Sequence, residues 1–127
     1  MRTFKTRWFA RFARREDLSD ESLREAVERA ERGLVVVDLG GGLIKLRVAR
    51  PGAGRSSGYR VIVAYRAEDR AFFLFGFAKN QQESIDSEQL RTARTIGSYL
   101  LAASQVELKT ALAEGEIQEI PYDQERT

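Results

Sequence analysis

The sequence contains no cysteine and no histidine, and each absence excludes a kind of chemistry. Without cysteine the chain has no disulfide, no thiolate nucleophile and no zinc site built from thiolates. Without histidine it lacks the usual general base, the commonest metal ligand and the central residue of a Ser-His-Asp triad. We therefore expect a functional site that uses no metal ion and no cofactor.

Long apolar segments are also missing from the sequence. No run approaches the roughly 18 apolar residues that a membrane-spanning helix needs, and the first residues lead into no apolar stretch of the signal-peptide type. A chain of 127 residues, 43% of them hydrophobic, is long enough to bury one core. We expect a single domain over residues 1–127, in a cytoplasmic protein without a membrane partner.

Acidic residues are absent from the middle of the chain. Residues 39–67 contain six basic residues and no acidic one, although the net charge of the whole chain is only +2. The six are Lys45, Arg47, Arg50, Arg55, Arg60 and Arg66. A surface with only positive charge repels itself unless it binds a polyanion, so RNA is the leading ligand candidate. A basic strand face that is simply solvated is the alternative interpretation.

Two strands are predicted within this basic stretch, at residues 43–50 and 59–66. The turn between them, residues 51–58, is rich in glycine, proline and serine. Side chains alternate between the two faces of a strand. Lys45 and Arg47 are therefore expected to share one face, while the apolar residues on either side of them face the other way.

The first part of the sequence predicts two helices that form an α-hairpin. The first helix covers about residues 6–15, and the second begins after an N-cap at Ser19 or Ser22 and ends at Gly33. The aromatic residues of the first helix are expected in the core. They are Trp8, Phe9 and Phe12.

Strands and then helices fill the rest of the chain. Residues 34–37 predict a first strand, and the glycines at 40–42 predict a turn after it. Residues 70–78 predict a strand buried on both faces. Its side chains are expected to alternate, with Phe73, Phe75 and Phe77 on one side and Phe72 and Leu74 on the other.

The C-terminal part predicts a long helix capped by Asp86 or Ser87, a shorter helix after Ser104 and an edge strand at residues 116–120. Together these elements predict an α+β fold. It has an N-terminal α-hairpin, a central antiparallel sheet in which sequential strands form a meander, and a C-terminal helix.

The basic residues that follow or lie on the predicted strands are the candidates for chemistry: Lys45, Arg47, Arg50, Arg55, Arg60 and Lys79. Cleavage of RNA by its own 2′-hydroxyl needs a base, a group that stabilises the charged phosphorane-like state and an acid for the leaving oxygen. Arginine matches phosphate oxygens bidentately. A lysine among other cations has a depressed pKa and can act as the base. The same cluster can also only bind phosphate, so the residues alone leave an enzyme and a binding module open.

The run Arg55-Ser-Ser-Gly-Tyr-Arg60, between two basic strands, resembles a motif of the RelE/HigB family of toxins from type II toxin–antitoxin systems. Residues 41–47 and 75–80 add to the resemblance, which covers about residues 1–103. Residues 104–127 are then a C-terminal extension of the family core.

This resemblance implies a ribosome-dependent mRNA interferase that is held inactive by a cognate antitoxin, expected to be of the helix-turn-helix type. It implies Lys45 as the base, Arg47 as a phosphate ligand, Arg60 as the group that stabilises the transition state and Lys79 as acid or phosphate ligand. Arg50 and Arg55 are expected to contact RNA or the ribosome.

Two features depart from the family pattern. The hairpin between Arg47 and Tyr59 is longer than in the shortest members, and the chain has no histidine near its C-terminus. Tyr59 and Tyr65 are candidates for stacking on a base, with packing in the sheet as the alternative. The related ParE branch, which poisons DNA gyrase, and a non-catalytic RNA-binding module are the alternative functions.

Overall fold

The computed structural model describes residues 1–34, 36–49, 58–79, 82 and 84–121. This part of the chain contains four helices and six strands. In chain order they are β1 (Arg2–Thr6), α1 (Arg7–Arg15), α2 (Asp20–Glu31), β2 (Val37–Gly40), β3 (Leu43–Val48), β4 (Tyr59–Arg66), β5 (Arg70–Ala78), α3 (Ser87–Ala102), α4 (Gln105–Ala113) and β6 (Ile117–Ile120).

The strands form one mixed sheet in the order β2-β3-β4-β5-β1-β6. β3, β4 and β5 form the predicted antiparallel meander. β1 lies between β5 and β6, parallel to the first and antiparallel to the second. The prediction of an α+β fold is confirmed, whereas the sequence pattern before α1 does not predict β1 or the parallel pair. A strand of five residues is defined by the neighbours that pair with it, and these neighbours are distant in sequence.

Helices cover both faces of the sheet, and each face has its own core. On one face α1 and α2 pack against the sheet through a cluster that includes Phe9, Phe12, Leu23, Val27, Leu46, Val61 and Phe73. On the other face α3 and α4 pack through a cluster that includes Phe4, Leu43, Ile62, Phe72, Leu74, Leu100 and Leu108. The central strands are therefore buried on both sides, as their nearly continuous apolar sequence predicts.

A β-bulge in β5 changes the direction in which its phenylalanines point. Successive residues of β4 pair with Phe73 and Phe75, so Leu74 has no residue opposite it. Phe73 packs with α1 and α2, whereas Phe75 packs against the cluster beneath α3. The prediction that Phe73, Phe75 and Phe77 share one face is therefore wrong, because an extra residue reverses the alternation of the strand.

One aromatic residue of α1 faces outward. Phe9 and Phe12 are buried as predicted, but Trp8 is 54% exposed. The expectation that Trp8 lies in the core is wrong, because a helix turns about 100° per residue and Trp8 falls beside Arg7 and Arg11 on the outer face.

The strand that follows α2 begins later than predicted. β2 starts at Val37, and Leu34 and Val36 lie outside any strand. Val35 lies outside the described residues. The glycines at positions 40–42 all have positive φ, so they form the predicted turn, with the first of them still inside β2.

The predicted helix starts agree closely with the structure. Ser19, Asp86 and Ser104 are the N-caps of α2, α3 and α4, and each side chain accepts a hydrogen bond from a backbone N–H three residues later. The edge strand predicted near the C-terminus is β6, which pairs with β1. No helix in the described part of the chain combines the length and the apolar character needed to cross a membrane.

Candidate active site

Alternation along β3 and β4 places three cations on one face of the sheet. Arg47 lies directly opposite Arg60, and Lys45 lies directly opposite Ile62. Residues opposite each other in an antiparallel pair share a face, with Cβ atoms about 4.5–5.5 Å apart. Because Ile62 packs in the cluster beneath α3, the three cations project on the α3 side of the sheet.

Arg60 is the most buried of these cations, with only 8% of its surface exposed. Its Nη1 atom is buried and has no hydrogen-bond acceptor among the described residues. Its neighbour on β5 is the apolar residue Phe77. Burial, and secondly the charge of Arg47, lowers the pKa of the Arg60 guanidinium from its usual value. A buried cation without an acceptor is costly, and such groups are typical of sites that bind an anion.

None of the carboxylates that the structure describes pairs with this cluster. No ion pair within the described residues involves Lys45, Arg47 or Arg60. Asp38 on the neighbouring β2 lies opposite Ile44, on the other face of the sheet, and its side chain accepts a hydrogen bond from the backbone of the following turn. The local charge on the α3 side is therefore positive and not neutralised by acids that the structure describes.

Lys79 directly follows β5 at the end of the sheet that carries Arg60. The last residue of β5, Ala78, lies opposite Tyr59, the residue that precedes Arg60. Lys79 is exposed and has no ion pair within the described residues. Cations from β3, from β4 and from the end of β5 are thus grouped at one end of the sheet.

Residues 1–120 match the family model of the RelE toxin of the RelE/RelB toxin–antitoxin system. The chain belongs to the RelE toxin family. It is therefore a toxin of a toxin–antitoxin system, and its family implies a cognate antitoxin as partner. The predicted resemblance to RelE is confirmed, and the match includes α4 and β6 as well as the preceding elements. No curated protein matches the chain.

Two tyrosines of this RelE toxin lie on the face opposite to the cations. Tyr59 is 2% exposed, packs edge-on against Phe12 of α1 and donates a hydrogen bond from its hydroxyl to Glu16 at 2.8 Å. Tyr65 packs beside the same core, and burial, followed by the charges of nearby glutamates, raises its pKa. Alternation along β4 directs these rings away from Arg60, so they do not adjoin the cations, and stacking on an RNA base stays a prediction.

The structure thus groups some of the predicted site residues and separates others. Lys45, Arg47 and Arg60 share the α3 side of the sheet, and Lys79 follows β5 at the end nearest Arg60. Those on the opposite face are Tyr59 and Tyr65. Arg50 and Arg55, predicted to contact RNA or the ribosome, lie outside the described residues.

Arg29 contacts the site of this RelE toxin although its position in the sequence does not suggest a role. It lies in the last turn of α2 and is 8% exposed. Its Nη2 donates to the carbonyl oxygen of Arg47 at 2.5 Å, and its Nη1 donates to Glu25 Oε1 at 2.7 Å. The spacing of Glu25 and Arg29 is typical of an exposed helix pair, so the contact with β3 could not be read from it.

Proposed function

We propose that this toxin is an mRNA interferase that cleaves RNA at a codon in the ribosome by attack of the 2′-hydroxyl on the adjacent phosphorus. The observation that carries the proposal is Arg60, whose buried Nη1 atom has no acceptor among the described residues and which lies directly opposite Arg47. A phosphate bound here would pair with both arginines, neither of which has an ion-pair partner among the described residues.

The cations suit the separate parts of this reaction. Lys45 removes the proton from the 2′-hydroxyl, whose oxygen then forms a bond to phosphorus. Arg47 and Arg60 hold the non-bridging oxygens and stabilise their added negative charge. Lys79 gives a proton to the 5′-oxygen as its bond to phosphorus breaks. The products are a 2′,3′-cyclic phosphate and a free 5′-hydroxyl, so protons and bonds balance.

Dependence on the ribosome is supported by the positions of the two tyrosines of β4, which lie on the face of the sheet opposite to the cations. The tyrosines of β4 that were candidates for base stacking lie on the other face of the sheet, where Tyr59 is buried and Tyr65 is half-buried. The cations bind phosphate but do not read a base. An RNA substrate therefore needs a second macromolecule to hold it in an extended, reactive conformation. The ribosome holds mRNA in this way. This substrate also implies that the toxin acts in the cytoplasm, where we expect a helix-turn-helix antitoxin to restrain it.

The proposal is tested by inducing the toxin in a bacterial host and mapping RNA 5′-hydroxyl ends across the transcriptome. We expect translation arrest and cuts within translated mRNA. Lys45→Ala and Arg60→Ala should each reduce cleavage by at least about 100-fold. The matched controls are Lys109→Ala on α4 and Arg66→Ala at the far end of β4, both exposed residues that should leave cleavage unchanged.

Mapping of DNA breaks in the same induced cells, and RNA-binding assays with the purified toxin, give the outcomes that decide against the proposal. DNA breaks without RNA cuts would show a gyrase poison of the ParE kind. RNA binding that weakens with salt, with no cleavage even when ribosomes are present, would show a binding module. Growth that continues unchanged while folded toxin accumulates would exclude both the interferase and the gyrase poison.

A further inference from the structure

One edge of β5 is not covered by a strand along its second half. β1 pairs with β5 only from Arg70 to Phe73, because the chain then turns away into α1. On its other side β5 pairs with β4 from Arg70 to Ala78, interrupted only by the bulge at Leu74. Within the described residues, positions 74–78 therefore have a strand on one side only. A free edge of this kind offers backbone N–H and C=O groups to an added strand.

Two concave surfaces flank this free edge, one on each face of the sheet. The first has a volume of about 640 Å³ and lies beneath α3, where Phe75, Ala93 and Ile96 line it. The second has a volume of about 460 Å³ and lies beneath α1. Trp8 and Leu74 line both, so the two grooves meet at the edge of the strand.

The two grooves differ in charge. Among the described residues, the groove beneath α1 is lined by Arg11 and Arg15 and by no acidic residue. The groove beneath α3 is mainly apolar, with Asp86 and Glu88 at the start of the helix. A strand added to the edge would direct alternate side chains into the two grooves. Acidic side chains suit the first groove, and apolar side chains suit the second, where carboxylates of the toxin repel acids.

We propose that the free edge of β5 is a docking site for an extended segment of the cognate antitoxin in which acidic and apolar residues alternate. The proposal rests on membership of the RelE family, which implies the antitoxin, and it does not depend on RNA cleavage. Backbone hydrogen bonds to residues 74–78 provide affinity, and the two grooves select the alternating pattern. Trp8 and the arginines beside it are the residue types that dominate binding energy in protein interfaces.

Trp8 also provides a direct signal for binding, because it is the single tryptophan of the chain. We would titrate the full-length toxin with an acetylated and amidated octapeptide of alternating glutamate and valine. We expect the emission of Trp8 to shift to shorter wavelength, with half-saturation below about 0.1 mM. Hydrogen exchange should slow at residues 74–78 in the presence of the peptide.

Three comparisons distinguish an added strand from other binding modes. The same peptide with alternate amide nitrogens methylated keeps its side chains but cannot pair as a strand, and it should not bind. Arg11→Glu should weaken binding by at least about tenfold. Arg14→Glu is the matched control, since Arg14 is equally part of the exposed face of α1 but lines neither groove, and it should bind as the wild type does.

The proposal is overturned if the peptide leaves the emission of Trp8 unchanged up to about 1 mM. It is also overturned if the methylated peptide binds as well as the parent, because the edge of β5 is then not used. A short oligoadenylate that binds in place of the peptide, and that Arg11→Glu and Arg14→Glu weaken equally, would show a face for nucleic acid instead. The titration contains no RNA-cleavage step, so a failure here is separate from a failure of the interferase proposal.

Discussion

Arg47 and Arg60 lie directly opposite each other on β3 and β4, and neither forms an ion pair within the described residues. Like charges in this position destabilise a sheet. The fold holds them together through contacts made elsewhere: Arg29 binds the backbone of Arg47, and β4 is hydrogen-bonded on both sides. This arrangement costs stability, and it places two guanidinium groups next to each other. It is therefore suited to binding a phosphate.

Replacing Arg60 by an apolar residue separates the effect of Arg60 on the free energy of unfolding from its effect on RNA cleavage. Arg60→Met removes a buried nitrogen without an acceptor, so we expect the free energy of unfolding to rise by about 1 kcal/mol while RNA cleavage is lost. Urea denaturation followed by the fluorescence of Trp8 measures the first effect. Arg47→Met is the comparison: Arg47 is exposed, so its removal relieves only the repulsion between the two guanidinium groups and should raise stability less than Arg60→Met does. A clear loss of stability in Arg60→Met would contradict the assignment of an unpaired cation.

Arg29 is expected to stabilise the toxin and to position Arg47. Arg29→Met leaves the carbonyl oxygen of Arg47 without its donor, so we expect the free energy of unfolding to fall by about 1–3 kcal/mol. Cleavage should fall as well, and Arg29→Lys should restore part of both losses. Arg32→Met, at an exposed position beyond the same helix end, is the control. Equal behaviour of the Arg29 and Arg32 variants would show that the contact contributes nothing.

The ion pair between Arg2 and Glu119 should make stability depend on pH in acid. The hydrogen bond from Arg2 lowers the pKa of Glu119 below its ordinary value of 4.5. The unfolded chain then binds more protons in this range, so the contribution is complete above pH 4.5 and is lost as the pH falls through the folded-state pKa. Both side chains are more than a third exposed, so the effect should stay below about 1 kcal/mol.

Unfolding free energies of Glu119→Gln and wild type, measured from pH 3 to pH 7, check this dependence. The difference between the two proteins should shrink as the pH falls. Glu114→Gln removes an exposed carboxyl that has no ion pair within the described residues, and it should follow the wild-type curve. A constant difference between Glu119→Gln and wild type at every pH would refute the proposed linkage.

Gly97 allows α3 to approach the sheet closely. A Cβ atom at this position would lie 3.1 Å from Leu43 and 3.2 Å from the Cβ atom of Ala64. Alanine gains about 1 kcal/mol of helix propensity over glycine, but overpacking of a core costs about 1–3 kcal/mol. Because Leu43 and Ala64 are fully buried, they have little room to move, and we expect Gly97→Ala to be destabilising overall. Thermal unfolding against the exposed neighbour Ser98→Ala checks this, and a higher melting temperature for Gly97→Ala would contradict it.

The sequence by itself determined the features that depend on near neighbours. Helix caps at Ser19, Asp86 and Ser104 are local, because the cap and the N–H groups that it binds lie within one turn. The common face of Lys45 and Arg47 is local as well, since alternation along a strand needs no distant contact. The residues that suggested the RelE family are also local runs, at positions 41–47, 55–60 and 75–80.

Only the tertiary structure decided features that require distant parts of the chain to meet. β1 is inserted between β5 and β6 by pairing across more than 60 residues, and no pattern within its five residues encodes that position. The bulge at Leu74 reverses the face of Phe75, and the contact of Arg29 with Arg47 joins a helix to a strand. The exposure of Trp8 and the free edge beside it follow from where β1 ends. Packing and strand pairing across long loops set all of these, and local propensity does not contain that information.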